Sequence, residues 1–204
     1  KSRPLRLLLD TARDVTRAAL PIKCVEATFV AALLTQQQRD LERVPLAFKS
    51  FVPATSATYK HIVLAVKHAS KWGAVGLSRR RELYYKELTY DSLGDLVLEF
   101  RRSYERVLHT LVRVRVGLPL PHEPLSDEHV CWAALTLRIS ATDDELNAAV
   151  DKLSEHGRAA RRLYDQWRRA GAKPKRRPAA AAASAASAAA RQPPRTAASR
   201  EAIA

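Results

Sequence analysis

A cysteine, a histidine and a serine, far apart in a chain of 204 residues, have the surroundings that point to chemistry. Cys24 follows Leu20-Pro21-Ile22-Lys23, where a proline-interrupted connection turns into the apolar run Ala27 to Leu34. Proline ends one helix and the apolar run opens the next, so Cys24 is read as the first residue of a buried helix. A thiol there sits at the positive end of a helix dipole with Lys23 beside it, and both effects favour thiolate over thiol. The competing reading is a free cysteine that fills a core as a small hydrophobe.

A nucleophilic cysteine needs a base within hydrogen-bond reach and a third group that orients the base. His61 opens the run Lys60-His61-Ile62-Val63-Leu64, and strand alternation puts it on the face of Val63 and Ala65. If that face packs on the Cys24 helix, imidazole and thiol meet; otherwise His61 merely caps a strand. His68, His109, His122, His129 and His156 are read as loop or helix-surface residues and set aside. Ser78 ends Gly73-Ala74-Val75-Gly76-Leu77-Ser78 on the neighbouring strand, where its hydroxyl or its carbonyl is placed to hold the imidazole. Basic residues cluster around these positions: Lys1 and Arg3, Lys23, then Arg79, Arg80 and Arg81. A solvated positive face is the ordinary reading. A cysteine peptidase acting at the end of an acidic peptide would use them to clamp a terminal carboxylate and steer the acidic residues before it.

The elements that must position these residues are read from periodicity. Ser2 is a candidate N-cap and Pro4 suits a first helical turn, with Leu5, Leu8, Ala12, Val15 and Ala19 on one face until Pro21. Gln36 to Arg43 reads as a polar connection. Phe48 to Val52, Tyr59 to Val66 and Ala74 to Leu77 read as three strands, the last after a turn at Lys71-Trp72-Gly73. They predict an antiparallel sheet packed on the cysteine helix. Arg79 to Lys86 reads as irregular. Asp91 is the candidate cap of a long helix with the stripe Leu93, Leu96, Val97, Phe100, Tyr104, Val107, Leu108 and Leu111. Val112 to Val116 alternates apolar residues with arginine, as a half-exposed strand does, and Cys131 to Ile139 is its candidate partner across the loop Leu118 to Pro124. Thr142 with Glu145 forms a capping box for a last helix to about Arg169, stopped by Gly171.

These elements define one α+β domain over residues 1–170, followed by a basic Ala/Pro-rich tail over 171–204 that is expected to be disordered because it has almost nothing large to bury. The net charge of +14 and pI near 10.3 imply acidic partners: nucleic acid, anionic membrane or acidic peptides. Part of the excess lies in the tail, where Lys173, Lys175, Arg176, Arg177, Arg191, Arg195 and Arg200 face Glu201 alone, and the domain itself remains basic. Two cysteines outside any C-x-x-C pair exclude a disulfide framework and a zinc pattern, and no cofactor or metal is expected. No apolar run is long enough to cross a bilayer. The chain has no methionine and begins at Lys1, so it is read as a fragment.

Lys1-Ser2-Arg3-Pro4-Leu5, Ala19-Leu20-Pro21-Ile22-Lys23-Cys24-Val25-Glu26-Ala27, Leu41-Glu42-Arg43, His61-Ile62-Val63-Leu64, Gly73-Ala74-Val75-Gly76-Leu77-Ser78-Arg79-Arg80 and Leu96-Val97-Leu98-Glu99-Phe100 stand in the order and nearly the spacing of the vasohibins. The chain resembles that family from Lys1 to about Leu137. The resemblance implies a transglutaminase-like, papain-like cysteine peptidase core that removes the C-terminal tyrosine of α-tubulin. It further implies a Cys24-His61-Ser78 triad, Lys23 and Arg79 on the terminal carboxylate, and Lys1 and Arg3 on the acidic tail. The implied partners are microtubules and a small vasohibin-binding protein whose site lies largely in an N-terminal region absent here, and the implied location is cytoplasmic and cytoskeletal. Arg81 departs from the family pattern, which has an acidic residue there. The rival reading is a non-catalytic basic module on microtubules or other polyanions; nucleic acid is not favoured as a partner.

Overall fold

Pro21 separates two helices, α1 at Leu5–Arg17 and α2 at Cys24–Leu34, as expected. In the computed structural model, residues 3–139 and 142–170 are described. The chain divides into a unit ending at Gln166 and a second beginning at Trp167; the sheet and the helices packed on it belong to the first. Lys1, Ser2, the Gly171 stop and the tail from 171 onward lie outside the described residues.

Six strands come after α2 in an antiparallel sheet: β1 at Glu42–Val52, β2 at Ala57–His68, β3 at Lys71–Gly76, β4 at Lys86–Tyr90, β5 at Thr110–Val116 and β6 at Leu135–Arg138. Their spatial order is β4-β3-β2-β1-β5-β6. Helix α3, Leu93–Arg106, connects β4 to β5, and α4, Asp143–Arg169, comes after β6. The α+β expectation holds.

Several details differ from the sequence reading. The first strand begins at Glu42, not Phe48, because Arg43 is a buried residue: its guanidinium donates to the carbonyls of Ala32 (3.0 Å) and Pro121 (2.6 Å), and burial pushes it down to about 10. Lys71-Trp72-Gly73 is strand, not turn. Gly73 is needed for close approach: a Cβ there would stand 2.7 Å from the Lys86 carbonyl oxygen of β4. Edge strand β4 begins at Lys86, the last residue of the stretch read as irregular; it has three exposed residues and pairs at Trp72–Tyr90 and Ala74–Lys86. Finally, Ser92 rather than Asp91 caps α3, accepting from the Asp95 N–H at 3.0 Å, while Asp91 pairs with Lys71. The apolar stripe outruns this helix, which stops at Arg106; Leu108 stands 81% exposed at φ 60°, and Leu111 belongs to β5. The Thr142–Glu145 capping box is present, with reciprocal bonds of 3.1 and 3.4 Å. Of Cys131–Ile139, only Leu135–Arg138 is strand.

Alternation divides the sheet's two faces. Val44, Leu46, Phe48, Val63, Ala65 and Trp72 pack against Leu93, Leu96, Val97, Phe100 and Tyr104 of α3 and Leu146 and Val150 of α4. On the other face, Leu64 and Val66 meet Ala31 and Ala32 of α2 and Leu5, Leu8 and Leu9 of α1. The larger cluster is the frame, and the smaller one seats the cysteine helix.

Candidate active site

Cys24 stands at the first position of α2, half-exposed. The first intrahelical bond runs from the Ala27 N–H to the Lys23 carbonyl at 3.0 Å, so the amides of Cys24 and Val25 precede the helical ladder. The exposed Lys23 is the N-cap, and its own N–H donates to the Glu26 carboxylate at 3.1 Å. The helix is apolar around most of its circumference, yet it is not the buried helix expected: Thr28, Ala31 and Ala32 are buried, while Val25 and Leu34 are exposed.

His61 lies on β2 opposite Phe48 of β1, half-buried. Its Nε2 is 2.6 Å from the carbonyl oxygen of Leu83. A carbonyl only accepts, so Nε2 carries the proton, and in the neutral ring Nδ1 holds the lone pair. Burial pulls this imidazole below its ordinary value, against the upward pull of the Leu83 hydrogen bond. The ring is therefore a neutral base of fixed tautomer.

The condition set for the meeting of thiol and imidazole is not the one the fold meets. The face of Val63 and Ala65 packs on α3, and α2 covers the opposite residues Leu64 and Val66. Yet Cys24 and His61 line one cleft of about 210 Å³. The same cleft is lined by Ala47, Phe48 and Lys49 of β1, Lys60 and Ile62 of β2, and Arg113 and Arg115 of β5.

Ser78 comes just after β3, and its Oγ accepts from the Arg80 N–H at 3.1 Å, a local turn that shapes the segment leading to Leu83. The acceptor on the imidazole is thus a backbone oxygen five residues beyond Ser78. Arg79 is exposed just after Ser78, and Arg3 is exposed while its carbonyl accepts from the Val130 N–H at 3.1 Å. Lys1 lies outside the described residues.

Sequence reasoning missed Lys49, Lys60, Arg113 and Arg115, although the arginine alternation of β5 was the available signal. None of the four forms an ion pair among the described residues, and the buried Nε of Arg113 has no hydrogen-bond partner. The cleft thus holds cations without counter-ions among the described residues, a half-exposed thiol and a neutral imidazole.

An antiparallel sheet carrying a histidine and a helix opening on a cysteine thus contribute to one cleft. The family model described as Vasohibin matches residues 1–159, and the chain belongs to that family, with its transglutaminase-like α+β fold. It is 41% identical over 132 residues to the mouse protein named tubulinyl-Tyr carboxypeptidase 1. That alignment covers 65% of this chain and 35% of the mouse protein, so the chain spans about a third of the curated relative it matches.

Proposed function

We propose that the cleft is the active site of a cysteine carboxypeptidase that releases the C-terminal tyrosine of α-tubulin. The observation that carries this reading is the shared cleft of Cys24 and His61, with the imidazole tautomer set by Leu83 and four unpaired cations around it. Membership of the vasohibin family and the activity named for the mouse relative support the choice of substrate.

In this mechanism the Cys24 thiol gives its proton to Nδ1 of His61, and the sulfur attacks the carbonyl carbon of the last peptide bond. The amide N–H of Cys24 is available to stabilise the oxyanion. His61 then protonates the departing tyrosine amine, and water hydrolyses the thioester with the same imidazole as base. Lys23 and Arg79 hold the terminal carboxylate. Lys1 and Arg3, joined by Lys49, Lys60, Arg113 and Arg115, receive the acidic residues before it. The Leu83 carbonyl takes the third place of the triad, and Ser78 acts only through the turn in which its Oγ accepts from the Arg80 N–H, so Ser78→Ala lowers turnover by less than His61→Ala. A small helical vasohibin-binding protein and microtubules are the proposed partners, and the cytoskeleton the proposed location. No helix of the described residues is long and apolar enough to cross a membrane.

The test separates this reading from a non-catalytic basic module. Cys24→Ala is expected to abolish tyrosine release from a peptide ending Glu-Glu-Tyr while acidic-tail binding persists. Release that survives the substitution assigns the chemistry elsewhere.

A further inference from the structure

The register of the sheet sets four cations in one line. Lys60 of β2 stands directly opposite Lys49 of β1, Lys49 opposite Arg113 of β5, and Arg113 opposite Arg138 of β6. Directly opposed residues of an antiparallel pair share a face of the sheet, and like charges so placed weaken the pairing. The face is fixed by the chain neighbours: Phe48, Val114 and Leu137 belong to the core around α3, so Lys49, Arg113 and Arg138 point the other way. None of the four forms an ion pair among the described residues, and the Nε of Arg113 is buried without a hydrogen-bond partner. Lys60, Lys49 and Arg113 line the cleft with Cys24 and His61. Arg138, exposed on the edge strand, carries the line beyond it.

We propose that this row is a track for the acidic stretch of a peptide substrate, crossing the strands from β2 to β6, with Arg138 the specificity-determining residue at its far end. Neighbouring strands lie ~4.8 Å apart, so the three steps from Lys60 to Arg138 cover about 14 Å. An extended peptide advances ~3.4 Å per residue, so the track holds about four residues. Lys60 adjoins His61 and marks the near end. Arg138 therefore meets the acidic side chain about four positions before the scissile bond. A single-stranded nucleic acid is also anionic, but its bases stack on aromatic side chains. The adjoining row of the same face, Ile62, Ala47, Arg115 and Thr136, has no aromatic ring. The direction of the track rests on the proposed peptidase reaction; the line of cations does not.

The test measures binding to the whole chain carrying Cys24→Ala, so that no turnover enters. Fluorescence anisotropy compares three labelled peptides: a run of seven glutamates ending in tyrosine, the same peptide with glutamine at the third to fifth positions before the tyrosine, and Glu-Glu-Tyr. Arg138→Gln is expected to weaken the first about fivefold and the other two by less than about twofold. Arg138→Glu with a peptide carrying lysine at those three positions is expected to regain the lost affinity, and it carries the test should Arg138→Gln fold poorly. Equal losses for all three peptides reveal only the general field of the cleft and overturn the track, as does no loss at all. An oligothymidylate that binds more tightly than the long peptide, with the larger dependence on Arg138, gives the row to nucleic acid instead. Tyrosine release by the chain with Cys24 intact is read separately. Its absence removes the peptidase reading while position-dependent binding still upholds the track, and a track that fails leaves the peptidase reading standing.

Discussion

Two sets of cations in this protein contrast. Around α3 and α4, five are paired: Lys86 and Arg106 share Glu99, Arg101 meets Asp143, Arg158 meets Glu42 across a Trp72 face, and Arg161 meets Glu128. In the cleft beside Cys24, Lys49, Lys60, Arg113 and Arg115 form no ion pair among the described residues. Charge in the first region is matched within the fold. In the second no counter-ion comes from the described residues, as the proposed binding of an acidic peptide requires. One kind of charge should therefore govern stability and the other affinity.

The largest effect expected from the paired region is at Glu99. Its carboxylate accepts from Arg106 at 2.6 Å and from Lys86 at 3.1 Å, and the side chain of Lys86 is only 9% exposed. Burial alone would raise Glu99, but the bonds from Arg106 and Lys86 outweigh it and hold the carboxyl below its ordinary value. Glu99→Ala leaves Lys86 buried with only the Ser103 hydroxyl, and denaturant unfolding should report a loss of about 3 kcal/mol with little change in KM. In the cleft the pattern inverts. Lys60→Ala or Arg115→Ala should raise KM for an acidic peptide about tenfold, with unfolding changed by less than about 0.5 kcal/mol and the affinity loss shrinking in high salt. Should a cleft substitution unfold the protein and a Glu99 substitution weaken only binding, the division between the regions is broken.

A smaller effect sharpens the picture of the cleft's base. Burial holds both His61 and His109 below the ordinary 6.5, with the Arg80 charge adding to the effect at His109. As pH falls through 6.5, the unfolded chain binds protons that the folded chain refuses, so stability declines until the folded values are passed. Unfolding measured at pH 7 and pH 5 should show this decline, and His61→Gln should reduce it. The smallest effect lies at the helix that carries Tyr104. Ser92→Ala removes the bond to the Asp95 N–H and should cost about 1 kcal/mol with tyrosine release unchanged.

Several of these features were legible in residues alone. Pro21 and the apolar run after it fix where α2 begins, and hence Cys24 at its first turn. The four inner strands and the capping box at Thr142 were read from alternation and side-chain chemistry. What was not legible depends on backbone atoms or on long-range packing. The oxygen that orients His61 is a carbonyl, which carries no residue signature. Gly73 gives the same local signal whether it permits a turn or admits a neighbouring strand. Arg43 looks like a surface charge until α2 and Pro121 supply carbonyls around it. The arginines of β5 declare a half-exposed strand, but only the order β2-β1-β5 places them beside the thiol. The face of His61 was assigned correctly by alternation, while the helix expected to cover that face was the wrong one.

The most direct test of the peptidase cleft is intact mass spectrometry of the chain, acid-quenched during turnover of a peptide ending Glu-Glu-Tyr, with and without the small helical partner. The predicted result is a covalent adduct on Cys24 with the mass of the peptide acyl group lacking its tyrosine, absent from Cys24→Ala. Free tyrosine accumulating with no adduct, at the same rate in Cys24→Ala, would contradict it.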